Sequence, residues 1–307
     1  MTVTVLAGGV GAARYLAGLV QIVEPSSVTA VVNTADDTWM HGLRICPDLD
    51  TVTYTLAGAG NPDTGWGLAG ETWQAMDALR RYDPDRAWFG LGDRDLGTHL
   101  FRTARLVDGA GLAEITGEIT RAWGIGVHVV PMSDDPVETR IELDGGEEVA
   151  FQDYFVRRRH DVAVRAVRLV GIEGARPAPG VVDALRQASR IVIAPSNPIV
   201  SIGPVLGVAG VMEVLRARRD DVVAISPIVA GAALKGPADR MLTELGHEAS
   251  VVGVARLYAE VASTLVVDTA DAALAGAVED AGMRCVIAPT VMHGPFESAA
   301  LAAVTIR

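Results

Sequence analysis

Short, unbroken apolar runs rich in β-branched residues recur towards both ends of the chain: Thr2–Leu6, Val28–Val32, Ile191–Ala194, Val222–Ile225, Thr264–Val267 and Cys285–Ala288. Runs without polar alternation are the pattern of strands buried on both faces, as in a parallel sheet. The stretches between them change to helical spacing. After Ala12, residues Leu16, Leu19, Val20 and Val23 fall on one face before Pro25 ends the helix, and similar patterns cover 204–218, 236–246, 252–262, 270–281 and 294–304. Strand–helix–strand within about thirty residues is a right-handed βαβ unit. The pattern predicts an α/β fold, a Rossmann-like doubly wound parallel sheet of about six strands.

The middle of the chain is different. Helical patterns at Glu71–Arg81, Thr98–Val107 and Gly111–Trp123 precede a strand-like Val127–Pro131. Residues 137–155 then alternate around Asp144-Gly145-Gly146 as a hairpin, with Phe151–Phe155 in its second half. This divides the chain into a nucleotide-binding core, 1–54 with 189–307, and an inserted helical and β-hairpin subdomain, 55–188.

Composition narrows the classes. With 50% hydrophobic and 21% charged residues the 307-residue chain is globular, and a net charge of −12 argues against a nucleic-acid-binding surface. Cys46 and Cys285 form no CxxC pair and cannot build a disulfide framework. The chain enters a strand at once, without a basic then apolar leader, and no apolar run reaches the roughly 18 residues of a membrane span, so a cytoplasmic protein is expected. Lys235 is the only lysine among 26 basic residues, which makes it the one candidate for any lysine chemistry.

The candidate chemistry clusters where strands end. Gly8, Gly9 and Gly11 turn the first strand into a helix, whose unpaired amides and positive dipole end suit a phosphate, with Arg14 able to add a planar cation. This is neither a full GxGxxG nor a Walker A loop. Where dinucleotide enzymes place a ribose-binding acid, this chain has Asn33, followed by Thr34 and then Asp36-Asp37, which suit either a capped turn or a bound cation. Asp48, Asp50 and Thr51 follow; Asp50 fits a helix N-cap, or a site acid if its loop lies beside the glycine turn. Gly90–Asp95 carries Arg94, which suits a local ion pair or a substrate anion. Ser196 and Asn197, framed by Pro195 and Pro198, suit either a directional ligand contact or a stiffened helix start. The basic run Arg157–His160 suits a solvated edge.

Six segments taken together, AGGVGAAR at 7–14, VVNTADD at 31–37, PDLDTVTY at 47–54, GLGDRD at 90–95, PMSDDP at 131–136 and PSNPIVSIGP at 195–204, resemble the 2-phospho-L-lactate transferase family of coenzyme F-420 biosynthesis, including its phosphoenolpyruvate-transferring bacterial members. The resemblance covers essentially the whole chain. It implies a magnesium-dependent transferase that moves a phosphoenolpyruvyl or 2-phospholactyl group from a guanosine diphosphate-linked donor to the deazaflavin Fo. GMP is released and the F-420-0 form of the coenzyme results. It implies a homodimer, as many members are, and an insertion that covers the acceptor site, where Trp66, Trp73 and Trp88 could face the flat ring. On this basis Gly8, Gly9, Gly11 and Arg14 take the donor diphosphate, and Asn33, Thr34, Ser196 and Asn197 line the nucleotide or acceptor. Asp50 is the catalytic residue, contacting the acceptor hydroxyl, the Mg2+ or both, with Asp37 a second metal residue and Thr51 and Arg94 on the acceptor side. Arg14 stands where relatives often carry lysine. Two rival functions remain at this point: a non-catalytic nucleotide-sugar-binding regulator of the same superfamily, and a nicotinamide-dependent oxidoreductase sharing only the fold, which Asn33 already disfavours.

Overall fold

A computed structural model describes all 307 residues. The six apolar runs lie in one parallel sheet, with a seventh strand added. In chain order the strands are β1 (Val3–Ala7), β2 (Val28–Val32), β3 (His128–Pro131), β4 (Arg190–Ile193), β5 (Val222–Ile225), β6 (Thr264–Val267) and β7 (Arg284–Ile287). Their spatial order is β7-β6-β5-β4-β1-β2-β3, and every pairing is parallel. The chain therefore winds outward from β1 in both directions. Central strands alternate between two cores: Leu6, Val31, Ile191 and Ile193 face one, while Val5, Ala7, Val32 and Val192 face the other. This is why their sequences show no polar alternation.

The extra strand, β3, lies inside the 55–188 span and forms the sheet's edge against β2, Thr29 opposite His128 and Val32 opposite Pro131. The remainder of that span holds helices α3 (Gln74–Tyr82), α4 (Asp95–Val107) and α5 (Leu112–Ala122), then a three-stranded antiparallel sheet of Glu138–Leu143, Glu148–Ala150 and Val164–Val170. Phe151–Phe155, expected as strand, is helical instead. An i,i+4 spacing on a helix stacks Phe151 on Phe155 at 5.4 Å between ring centres, whereas a strand would set the two about 13 Å apart along one face.

Two helices position the chemistry. Helix α1 (Gly9–Leu19) follows β1 directly, and packs against the C-terminal helix Pro295–Thr305 so closely that a Cβ on Gly18 would lie 2.4 Å from the Ser298 carbonyl oxygen. Tyr15 and Thr305 share a buried hydrogen bond of 2.6 Å there. Helix α2 (Pro47–Leu56) packs on α1. Its N-cap is Cys46 and Pro47 opens its first turn, so Asp50 is not the cap but a residue inside the helix, free to point elsewhere. No single helix is long and apolar enough to cross a membrane.

Candidate active site

The topology reverses between β1 and β4, and the crevice beyond their C-terminal ends is where open α/β sheets bind ligands. Gly8 is the extended N-cap of α1 and Gly9 has φ +69°, so both leave backbone close to the crevice. Gly11 is required by packing: a Cβ there would lie 2.3 Å from the Pro195 carbonyl oxygen. The Pro195–Ser201 loop thus forms the opposite wall. Ser196 Oγ donates to the Gly8 carbonyl at 2.7 Å. Asn197 Oδ1 accepts from the backbone N–H groups of Ile199 and Val200. Both side chains hold the wall in place with their polar atoms. Arg14 Nη1 makes one contact, 3.4 Å to the Met292 carbonyl.

Five carboxylates surround the start of α2, in two groups. Beside the glycine turn are Asp48 and Asp36. Asn33 Nδ2 donates to Asp48 Oδ2 at 3.0 Å, while Asn33 Oδ1 accepts from the Ala35 amide, so Asn33 orients this acid. Burial pushes Asp48 up to about 6, against hydrogen bonds from Asn33 and the Gly9 backbone. Asp36 is raised well above the usual carboxylate range, by burial first and then by the charges of Asp48 and Asp37. Its Oδ1 is buried with no partner. No arginine or lysine pairs with either acid.

The second group is Asp37, Asp50 and Asp95, and it is balanced by cations. Arg44 Nη2 lies 3.2 Å from Asp37 Oδ2. Burial still pushes Asp37 up to about 7, although Arg44 opposes it, and Asp37 Oδ1 has no partner. Asp50 accepts from both Arg102 nitrogens, Nη2 to Oδ1 and Nη1 to Oδ2, the latter at 3.1 Å. Arg102 is 1% exposed; burial lowers its pKa, but Asp50 outweighs that and holds it charged. His99 Nδ1 lies 3.7 Å from Asp50 and its Nε2 lies 3.2 Å from Asp95. Tyr54 donates to Asp95 at 2.5 Å, and its oxygen lies 2.8 Å from the Thr98 hydroxyl. Burial would raise Asp95, yet the bond and charge of His99, with Tyr54, hold it below its ordinary value.

Asp95 is also the floor of a small cleft of about 40 Å³ rimmed by Trp66 and Trp73, both roughly half exposed, with Glu71, Asn61 and Gly92. A wider cavity of about 280 Å³ opens on the other side of Arg44, lined by Thr34, Trp39, Arg44 and Asp134 among others. Arg44 stacks over Trp39 at 6.0 Å.

The structure therefore gathers Gly8, Gly9, Gly11, Arg14, Asn33, Ser196 and Asn197 at the cradle, and places Asp50 and Thr51 on the neighbouring helix. Thr34 faces the wider cavity. Arg94 is exposed, donates to the Ala69 carbonyl at 2.8 Å, and makes no ion pair. Trp88 packs with Phe89 in a satellite core, leaving Trp66 and Trp73 as the exposed pair. Sequence reasoning missed Arg102, His99 and Asp95. These three are spaced i, i+4 and i+7 along α4, a polar stripe that by pattern alone suits a solvated face. Asp36, which the sequence offered for a capped turn or a cation, lies in the group with Asp48.

Two acids without countercharge, one with an orphaned buried oxygen, fit a hard divalent cation, which commonly takes one or two carboxylates and completes its shell with water and phosphate oxygens. One ligand atom each of Asp50, Asp95 and His99 lies within 4.8 Å of the others, but Arg102 already supplies that group's positive charge.

Known proteins share this chain's sequence and fold. The model of the family described as 2-phospho-L-lactate transferase CofD matches residues 3–286. A protein of Streptomyces griseus named phosphoenolpyruvate transferase is 44% identical over 306 residues, covering 98% of this chain and 96% of its own. A protein of the same name from Mycolicibacterium smegmatis is 40% identical, covering 98% of this chain and 96% of its own. Two crystal structures of a Bacillus halodurans protein, one described as a UPF0052 family member, share the fold. Their TM-scores are 0.63 and 0.64 at 17% identity, over all of this chain and 98% and 99% of theirs.

Proposed function

The chain belongs to the 2-phospho-L-lactate transferase CofD family, and from that premise we propose that it transfers a phosphoenolpyruvyl group from a guanosine diphosphate-linked donor to the deazaflavin Fo. The name shared by the relatives favours enolpyruvyl over lactyl as the group carried. The observation that carries the reading is the division of labour across α2. Asp48 faces the glycine cradle, and Asp50 faces α4, whose Asp95 lines the tryptophan-rimmed cleft.

In this reading the donor diphosphate lies on the Gly8–Gly11 amides near Arg14. Fo docks over the mouth of the cleft with its ring against the exposed Trp66 and Trp73 and its ribityl chain directed past Asp95 towards Asp50 and Thr51. The terminal hydroxyl oxygen attacks the distal phosphorus, the bond from that phosphorus to the bridging oxygen breaks, and GMP leaves with the bridging oxygen. The hydroxyl proton passes to a carboxylate. Asp50 is assigned this contact: Arg102 engages two of its roughly four acceptor positions and leaves the others free. Asp36 and Asp48, with the free oxygen of Asp37, are the residues that would hold Mg2+, and Asp50 is adjacent. When bound, the ion would neutralise charge on the phosphoryl oxygens. Arg102, His99 and Tyr54 fix the acceptor-side acids.

Incubating the protein with Fo, Mg2+ and the donor tests the reading. Release of GMP should require both organic substrates and yield a deazaflavin heavier by the enolpyruvyl phosphate. A nucleotide-binding regulator of the same superfamily would bind guanine nucleotide and release no GMP.

A further inference from the structure

Lys235 follows β5 on the ligand-binding edge of the sheet, after a two-residue-stranded hairpin, Ile228–Val229 with Ala232–Ala233. Its ammonium donates to the Thr64 carbonyl at 2.8 Å. A Cβ placed on the next residue, Gly65, would lie 2.9 Å from Lys235 Nζ and 2.9 Å from Val10 Cγ1. The ammonium is thereby held alongside the first turn of α1. Val10 and Arg14 are i,i+4 neighbours on one face of that helix. Neither Arg14 nor Lys235 makes a salt bridge, although the chain carries 38 carboxylates; Arg14 has only the Met292 carbonyl and Lys235 only that of Thr64. Burial, and then the charge of Arg14, hold the Lys235 pKa below its ordinary value. Two cations facing one another without an acid repel, unless an anion completes the arrangement.

We infer that Lys235 is a donor-binding residue that closes with Arg14 on the distal phosphoryl group of the bound diphosphate. The inference rests on the donor reading above and adds to it. A lysine here delivers a point charge from the far side of the Gly65 loop, while the α1 amides approach from below. The same bond ties the loop bearing Trp66 to the donor side, so the two substrate pockets share this contact.

The sole lysine makes the test direct. Amine acylation of the wild-type protein, followed by peptide mass measurement, should show Lys235 modified in the free protein and protected by GDP, with GMP protecting little. In titrations, Lys235→Gln should weaken GDP binding about tenfold and GMP binding less than twofold, and Lys235→Arg should restore GDP binding to within about threefold, since the lost contact is charge-assisted. Lys235 is exposed, so circular dichroism should show an unchanged fold. Equal weakening of GDP and GMP would reassign Lys235 to a loop fastening and overturn the inference, as would unchanged GDP binding with no protection. If wild-type protein binds no GDP, the donor reading itself falls.

Discussion

Replacing Asp50 with asparagine keeps the side-chain volume and removes one negative charge beside the guanidinium of Arg102, which is 1% exposed. Breaking a buried ion pair from one side costs about 3–5 kcal/mol, because the surviving charge keeps its desolvation cost without its partner. Asp37 also acts on Arg102 and Asp95 is close to it, so the loss should fall at the lower end, about 3 kcal/mol. At about 2 °C per kcal/mol for a chain of this size, Asp50→Asn should lower the melting temperature by about 6 °C. Arg102→Met should cost a similar amount, by leaving Asp50 and Asp37 facing each other.

The double variant separates stability from chemistry. With both charges removed, the network is neutral again, and the melting temperature should return to within about 2–3 °C of wild type. Transfer to Fo should stay abolished, because the acceptor contact assigned to Asp50 is still missing. Scanning calorimetry on the four proteins, with GMP release measured on each, is the assay. An Asp50→Asn protein melting within about 1 °C of wild type would refute the ion-pair reasoning. Near-normal turnover in the double variant would remove Asp50 from the chemistry.

Three further outcomes are expected. Asp37 has a folded pKa of about 7 against an ordinary value of 3.8. The folded state therefore holds a proton the unfolded chain has released, and stability falls as pH rises from about 4 towards 7. Asp37→Asn should flatten the wild-type decline in unfolding free energy between about pH 5 and 7.5, and parallel curves would contradict the shift. Asp36→Asn, which removes the charge of an acid with an unpartnered oxygen, should stabilise the metal-free protein by about 1–2 kcal/mol, while a melting shift produced by added Mg2+ should shrink; a Mg2+ response equal to wild type would take Asp36 out of the metal set. Trp66→Ala should weaken Fo binding about tenfold, the scale of one aromatic contact, and leave GDP binding unchanged; fluorescence titration with Fo reads the first, and loss of both affinities would mean that the loop has collapsed.

Much of the fold is legible because both-face burial writes itself as continuous apolar runs, and the five central strands carry that signature; β7, at an edge and only partly buried, is an apolar run as well. β3 was recognisable as a strand but not as part of the sheet, since nothing in four residues says which neighbour they join. Phe151–Phe155 misled because aromatic residues suit a strand and an i,i+4 stack equally. At the site, glycines and acids at strand ends were visible as chemistry. Their partners were not: Arg102 and His99 look like one side of a surface helix until α4 is docked on α2. Ser196 and Asn197 show the converse, polar groups in the right place whose hydrogen bonds turn out to hold the wall.

Asp48 and Asp50 are two residues apart on a helix and so diverge by about 200°. In a strand they would share a face and serve a single ligand. On α2 they serve opposite sides, and the chain surrounds each with a different electrostatic setting. Asp48 meets Asp36 and receives only neutral hydrogen bonds, which leaves net negative charge at the glycine cradle. Asp50 meets a guanidinium that holds it in a fixed orientation through two hydrogen bonds. A phosphoryl transfer needs both settings: a donor that arrives with its charge and a counter-ion, and an acceptor hydroxyl whose proton has somewhere to go. The first side is therefore costly to the free protein and relieved by ligand, and the second is stable before any ligand arrives. Stabilising substitutions should accordingly concentrate at Asp36 and Asp48, and destabilising ones at Asp50, Asp95 and Arg102, even though all five lie around one short helix.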